Sequence, residues 1–157
     1  MNAQESDIVP QIQFFKMIQD AGGTLNGGTW QDGTIYYEVV PKNALEMVMW
    51  MEADRMGYLI NTVTASAFAN QQEVVQNEKR QRVDNNPYGH TGWVIDKNLY
   101  PDGHPYSWQV IGELEDLQNA TVEDVKEFYD KFYGPNNATM VIAGDFHNDE
   151  AQEMVKK

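Results

Sequence analysis

The sequence contains no cysteine. Disulfides, thiolate metal ligands and a Cys–His nucleophile are therefore excluded, and the redox compartment is unreadable from the residues. Basic residues are scarce: 11 Lys and Arg stand against 24 Asp and Glu, a formal net charge of −13. Nucleic-acid backbones and anionic membranes both reward basic patches, so neither is expected as a partner. No apolar run is long enough to cross a bilayer, and the N-terminus lacks the basic and apolar regions of a signal peptide. No membrane span is expected. The three histidines, His90, His104 and His147, never stand four residues apart, so a His-x-x-x-His zinc pair is missing. There is no Gly-x-Ser-x-Gly elbow, and no Gly-Lys-Ser/Thr follows Gly22-Gly23 or Gly27-Gly28 to make a phosphate loop. Asp145 and Asp149 are too isolated for a calcium or magnesium loop.

What is present fits one domain. The chain has 157 residues, 41% apolar and 22% charged, enough to bury a core. Residues 1–9 are polar and expected to be disordered, with the domain running over 10–157. From Pro10 to Ala21, Ile12, Phe15 and Ile18 fall near helical spacing, and Gly22-Gly23 ends the helix. TLNGGTW and TIYYEVV read as strands joined at Gln31-Asp32-Gly33, a hairpin turn signal. Gly27-Gly28 weakens the first strand and suggests either a bulge or close approach of another backbone. Pro41 to Met56 is a helix apolar on nearly every side and belongs mid-domain. A short helical piece is expected around Trp93–Leu99, then an ordered loop over YPDGHPYSW. Thr121 opens another helix, ATMVIAGDF reads as a strand, and NDEAQEMVKK as the start of a last helix. The pattern predicts an α+β fold, helices packed on a mixed or antiparallel sheet.

The stretch from Thr64 to Asn86 carries the chemistry. Thr64 is an N-cap, and some twenty residues follow without Gly or Pro. At about 100° per residue, Ala67, Phe68, Val74 and Val75 cluster on one face, with Gln71, Glu78 and Arg82 near its centre. A carboxylate on a buried stripe is costly unless paired or metal-bound. Two readings of Glu78 stand side by side: a solvated or salt-bridged glutamate, or a functional one.

The ordered series AGGTLNGGTWQDGTIYYEVVP, LEMVMWMEADRMG, NQQEVVQNEKRQRVDNNPYG, GHPYSW and YGPNNATMVIAGDF resembles the pitrilysin/insulinase zinc metallopeptidases, from about Pro10 onward. The resemblance implies a fold like the N-terminal domain of these peptidases. It also implies Zn2+ held by two histidines of a His-x-x-Glu-His helix and by a later glutamate, matched here by Glu78. The motif's own Glu would activate the zinc-bound water. Asn26 and Gly27 match the edge strand that accepts extended peptide substrate by backbone pairing, with Gly replacing the usual Ala. Gln71 stands where many relatives carry a second acidic residue supporting the site. His-x-x-Glu-His itself is absent, so the resemblance implies a piece of the N-terminal domain truncated at both ends, with no catalytic residue of its own. The expected activity is a segment of a zinc metalloendopeptidase, inactive alone. Its partners would be peptide substrate and the remainder of the peptidase or a homologous subunit. The alternative is a non-catalytic partner acting by binding. Resemblance to bacterial members implies a periplasmic or other extracytoplasmic setting.

Overall fold

The computed structural model describes residues 13–157. The expected disorder of residues 1–9 and the start of the first helix, Ile12 included, lie outside the described residues. In chain order the elements are α1 (Gln13–Asp20), β1 (Thr24–Trp30), β2 (Gly33–Val39), α2 (Leu45–Tyr58), α3 (Ala65–Lys79), α4 (Thr91–Leu99), α5 (Leu114–Asn119), α6 (Val122–Phe132) and α7 (Asn148–Lys156). The strands form a two-stranded antiparallel hairpin, so the α+β expectation stands, with helices dominating. The chain divides into two compact units. One takes in residues up to Gly27, Tyr36–Val63 and Glu123–Lys157; the other takes in Gly28–Ile35 and Thr64–Val122.

In the first unit, α1 ends where Gly22-Gly23 predicts. Gly22 adopts φ +81°, its N–H donates to Gln19 O at 2.9 Å, and the Gly23 N–H donates to Ile18 O at 2.8 Å, a Schellman stop. Gly23 is also fixed by packing, because a Cβ there would stand 2.6 Å from Val40 Cγ1 and 2.8 Å from Val39 O. Phe14 and Ile18, four residues apart on one helical face, pack with Met51 of α2 as the core. The helical wheel placed Phe15 there, but Phe15 is exposed. Met17, Leu25, Val40, Met47 and Val48 close around this core. On β2, Tyr36 and Glu38 turn inward while Ile35, Tyr37 and Val39 face outward, the period-two alternation of a strand. α2 is central as expected, yet it buries Asp54 and Arg55 beside Met51 and leaves Trp50 exposed. The hydroxyl of Tyr129 on α6 donates to the carbonyls of Arg55 and Met56 at 2.6 and 2.9 Å.

One expected element does not form. Residues 138–146 carry no strand pairing among the described residues, and Val141 is 82% exposed. An apolar run with high strand propensity still needs a neighbouring edge to make a ladder, and the two described strands pair only with each other.

In the second unit, the side chain of Thr64 caps α3 as expected, accepting from Ala67 N at 3.1 Å. α3 then passes into a wider turn over Arg80–Asp84, where Asn85 N donates to Arg80 O at 2.8 Å, and stops before Pro87. α4 and the ordered loop after it follow the sequence reading. α5 was not anticipated; its six residues are too short for periodicity to show.

Met51→Ala should cost about 2–4 kcal/mol, since it opens a cavity in the middle of a small core. Urea denaturation measures this; a loss below about 1 kcal/mol would mean that this cluster is not the core.

Candidate functional site

The peptide-accepting strand expected at Asn26 and Gly27 is β1. The hairpin gives β1 one neighbour, β2, and no described strand lies on its outer edge. Asn26 Oδ1 accepts the Gly27 N–H at 2.8 Å, so one backbone donor of this segment is occupied by the adjacent side chain. Gly28 is not pressed by another backbone: a Cβ there would meet only Ile35 Cγ2, at 4.0 Å. At the far end, Thr29 and Thr34 hydroxyls meet at 3.1 Å. The ring of Trp30 lies 3.1 Å from where a Gly33 Cβ would stand.

On α3 the helical wheel needs correcting. Glu78 is not a buried, unpaired carboxylate: its side chain is 39% exposed and pairs with Arg82 at 2.8 Å, one of the two readings left open above. The buried charge is its neighbour Lys79, only 2% exposed. The inward face of α3 runs through Phe68, Gln72, Val75 and Lys79, at the 4-3-4 spacing of one helical stripe. Val74, which helped to centre the wheel on Glu78, is exposed. Lys79 Nζ donates to Gly112 O at 2.7 Å and to Gln109 Oε1 at 3.3 Å, and stands 3.4 Å from Glu113 Oε2. Two turns earlier, Gln72 Nε2 donates to Leu117 O at 2.6 Å. The two side chains thus hold both ends of α5. A wheel scores lysine as solvent-facing, so it could not find a stripe whose members are half polar; the long apolar stem of lysine is what allows it. Gln71, half-buried, lies on the flank shared with Glu78.

Glu78 alone does not make a zinc centre. Among the described residues no three His, Asp or Glu side chains come together as metal donors, and a zinc site with an open position takes three protein ligands. These residues do not fit a complete site.

The first unit holds a charged cluster that neither spacing nor motif singles out. Arg55, buried on α2, donates through Nε to Glu52 Oε1 at 3.0 Å and also through its terminal NH2 group to Glu52. Its guanidinium lies 4.1 Å from the centroid of the Tyr36 ring, and the Tyr36 hydroxyl meets that of Tyr133 at 2.6 Å. Burial pushes the Glu38 carboxyl up from its ordinary 4.5 to about 7. The charge of Glu52 and a hydrogen bond to it push the same way, while Arg55 pulls Glu38 down. Burial, with the Tyr133 hydrogen bond, likewise raises the Tyr36 hydroxyl.

In the second unit, the loop after α4 forms a compact aromatic group. His104 stacks on Tyr100 at 5.0 Å and lies edge-on to Tyr106 at 5.2 Å. Its Nδ1 accepts the Tyr106 N–H at 3.1 Å. The Tyr106 hydroxyl donates to the Asp32 carboxylate at the hairpin turn.

Comparison with known proteins agrees with the motif resemblance. The chain is homologous to zinc proteases of the pitrilysin/insulinase type, peptidase family M16. Residues 119–157 match a family model described as the peptidase M16 inactive domain. The zinc protease PqqE of Helicobacter pylori is 32% identical over 145 residues, which cover 92% of this chain and 32% of that protein. The probable mitochondrial-processing peptidase subunit beta of Schizosaccharomyces pombe is 24% identical over 142 residues, 88% of this chain and 30% of that protein. A solved structure of a protease from Helicobacter pylori superposes with a TM-score of 0.91 at 31% identity, over 99% of this chain and 36% of that one. The periplasmic protease PqqL of Escherichia coli gives a TM-score of 0.84 at 20% identity, over 98% of this chain and 17% of that one, and shows the fold alone. The chain spans about a third of the length of the first two curated relatives. No helix among the described residues is long and apolar enough to cross a membrane.

The raised Glu38 has a signed consequence for stability. Below its unfolded value of 4.5 the carboxyl is protonated in both states; as pH climbs toward its folded value of about 7 the unfolded chain sheds the proton first. Stability should therefore fall as pH rises from 4.5 to about 7 and level off above, and Glu38→Gln should flatten that part of the profile. Thermal melts of both proteins across this range test it; parallel profiles would show that Glu38 does not hold its proton in the fold.

Proposed function

We propose that this chain is a segment of a zinc-dependent metalloendopeptidase that hydrolyses peptide bonds in extended peptides, contributing one metal ligand and part of the substrate groove. The observation that carries this reading is the match to zinc proteases along nearly the whole chain, in sequence and in fold. Residues 10–157 are read as part of the peptidase's N-terminal domain, with the inactive-domain match entering at 119. Glu78 is the proposed zinc ligand, and the salt link to an exposed Arg82 is a light restraint that metal binding could replace. Gln71, near it on the helix, can orient a ligand or water by hydrogen bonding without adding charge. Asn26 and Gly27 mark the strand along which an extended peptide would pair. The water-activating glutamate of the family's His-x-x-Glu-His motif is not among these 157 residues. The chain alone is accordingly read as inactive and weak in zinc binding, with the rest of the peptidase or a homologous subunit as its partner. A periplasmic or other extracytoplasmic setting is proposed by analogy with the periplasmic relative.

A second reading, a non-catalytic partner that works by binding, is favoured by one observation. The family model matched by residues 119–157 is described as an inactive domain. The two readings differ at Glu78, which only the first requires as a ligand.

In the complete peptidase, Glu78→Gln should abolish tight zinc binding and peptide hydrolysis with the fold intact, because an amide is a far poorer zinc ligand than a carboxylate. Metal analysis beside circular dichroism checks this, and a variant that retains one zinc per chain and cleaves peptides removes Glu78 from the site. Gly27→Pro deletes the backbone N–H that Asn26 Oδ1 accepts and that a pairing peptide would have to take over, and should weaken binding of an uncleavable extended peptide about ten-fold or more. Calorimetry on the folded variant measures it; an unchanged affinity would rule out pairing along this strand.

A further inference from the structure

We infer that Tyr106 and Asp32 are positioning residues that hold the tip of the hairpin so that Gly28–Trp30 of β1 is ordered before a peptide pairs with it. The inference rests on the reading of β1 as the peptide-accepting strand. A two-stranded hairpin by itself is marginal in water, and a strand that must order on binding loses affinity to that ordering. The tip needs an anchor.

That anchor is built from residues remote in sequence. The Tyr106 hydroxyl reaches the Asp32 carboxylate across 74 residues of chain, a charge-assisted hydrogen bond at the turn itself. Tyr106 is in turn fixed on three sides. Gly103 turns the loop with φ +82°, and Pro105 opens a single helical turn, Pro105–Ser107. His104 Nδ1 accepts the Tyr106 N–H, and the His104 ring and Tyr100 both lie edge-on to the tyrosine ring, at 5.2 and 5.4 Å. Buried Ser107 ties the turn from behind, its hydroxyl donating to His104 O at 2.7 Å. The hydroxyl is thus presented to Asp32 by a preorganised loop, not by a free side chain. Beside the gripped Asp32, the Trp30 ring lies against Gly33. Neither Tyr106 nor Asp32 need touch the peptide.

The test uses the 157-residue chain, a soluble extended peptide of about ten residues, and nuclear magnetic resonance titration, which reads millimolar affinities. Tyr106→Phe and Asp32→Ala should each weaken binding roughly five-fold and speed amide exchange at Gly28–Trp30 several-fold, with the melting temperature nearly unchanged. Asp32→Asn keeps an acceptor and should restore most of the affinity. If Tyr106→Phe proves unstable, the Asp32 pair, on an exposed turn, decides. Wild-type affinity in Tyr106→Phe and Asp32→Ala, while Gly27→Pro loses binding, overturns the clamp and leaves the strand reading standing. Faster exchange with unchanged affinity reduces the contact to a structural one and overturns it equally. If no Gly28–Trp30 amide responds to peptide in the wild type, or Gly27→Pro binds normally, the strand reading falls and the clamp with it.

Discussion

A lysine ammonium that is taken out of water must find acceptors, and the second unit is arranged around that demand. Lys79 meets it with Gly112 O, Gln109 and Glu113. The requirement sets the rotation of α3 about its axis, because the lysine and Gln72 must face α5 together. Once that face is fixed, Glu78 stands about 100° away around the helix, half-exposed and able to engage a partner outside the packed face. The short α5 depends on the same two side chains: six residues form no stable helix unaided, and here both its termini are held. The shortest of these bonds goes to a backbone carbonyl, which no side-chain substitution removes.

The first unit solves a related problem differently. Arg55 is buried too, but its charge partner is local, Glu52 three residues back along α2, while the Tyr36 ring of β2 covers the guanidinium from farther along the chain. Glu38 stands in the same cluster, and burial, with the charge of Glu52 beside it, holds its carboxyl well above the ordinary carboxylate range. The apolar core of Phe14, Ile18 and Met51 is small, and the buried charges of α2 with the half-buried Tyr129 of α6 bring specificity of packing that three apolar side chains could not.

Much of this was legible in the chain. Turn chemistry located the hairpin at Gln31-Asp32-Gly33, a double glycine located the end of α1, and a threonine cap located the start of α3, because each is a local backbone requirement that only certain residues meet. Two kinds of feature were not legible. The first is any face whose burial depends on polar pairing at long range: Lys79 with Gly112, Tyr106 with Asp32, Arg55 beneath Tyr36. Hydrophobic periodicity has no symbol for these, which is why the wheel on α3 settled on the wrong stripe; on α1 Phe14 and Phe15 both stand at helical spacing from Ile18, so spacing alone could not choose Phe14. The second is any element whose stability is borrowed. α5 exists because α3 grips it, and residues 138–146 find no strand partner among the described residues because strand propensity cannot supply a neighbour. As to the candidate site, the motif resemblance nominated Glu78, Asn26 and Gly27 without geometry; the structure adds their surroundings.

The unpaired run at 138–146 also bears on how the molecule behaves in concentrated solution. Met140 and Val141 offer exposed apolar side chains with no strand partner among the described residues, and such segments are where separate chains add to one another. What opposes that encounter is long-range: every molecule carries a formal charge of −13, and like-charged molecules keep apart over roughly a Debye length, about 10 Å at 0.1 M salt. Colloidal stability and fold stability are thus governed by different residues. The carboxylates scattered over the surface contribute little to holding the chain together, yet they keep its copies apart, and ionic strength, more than temperature, is the variable to which its solubility answers.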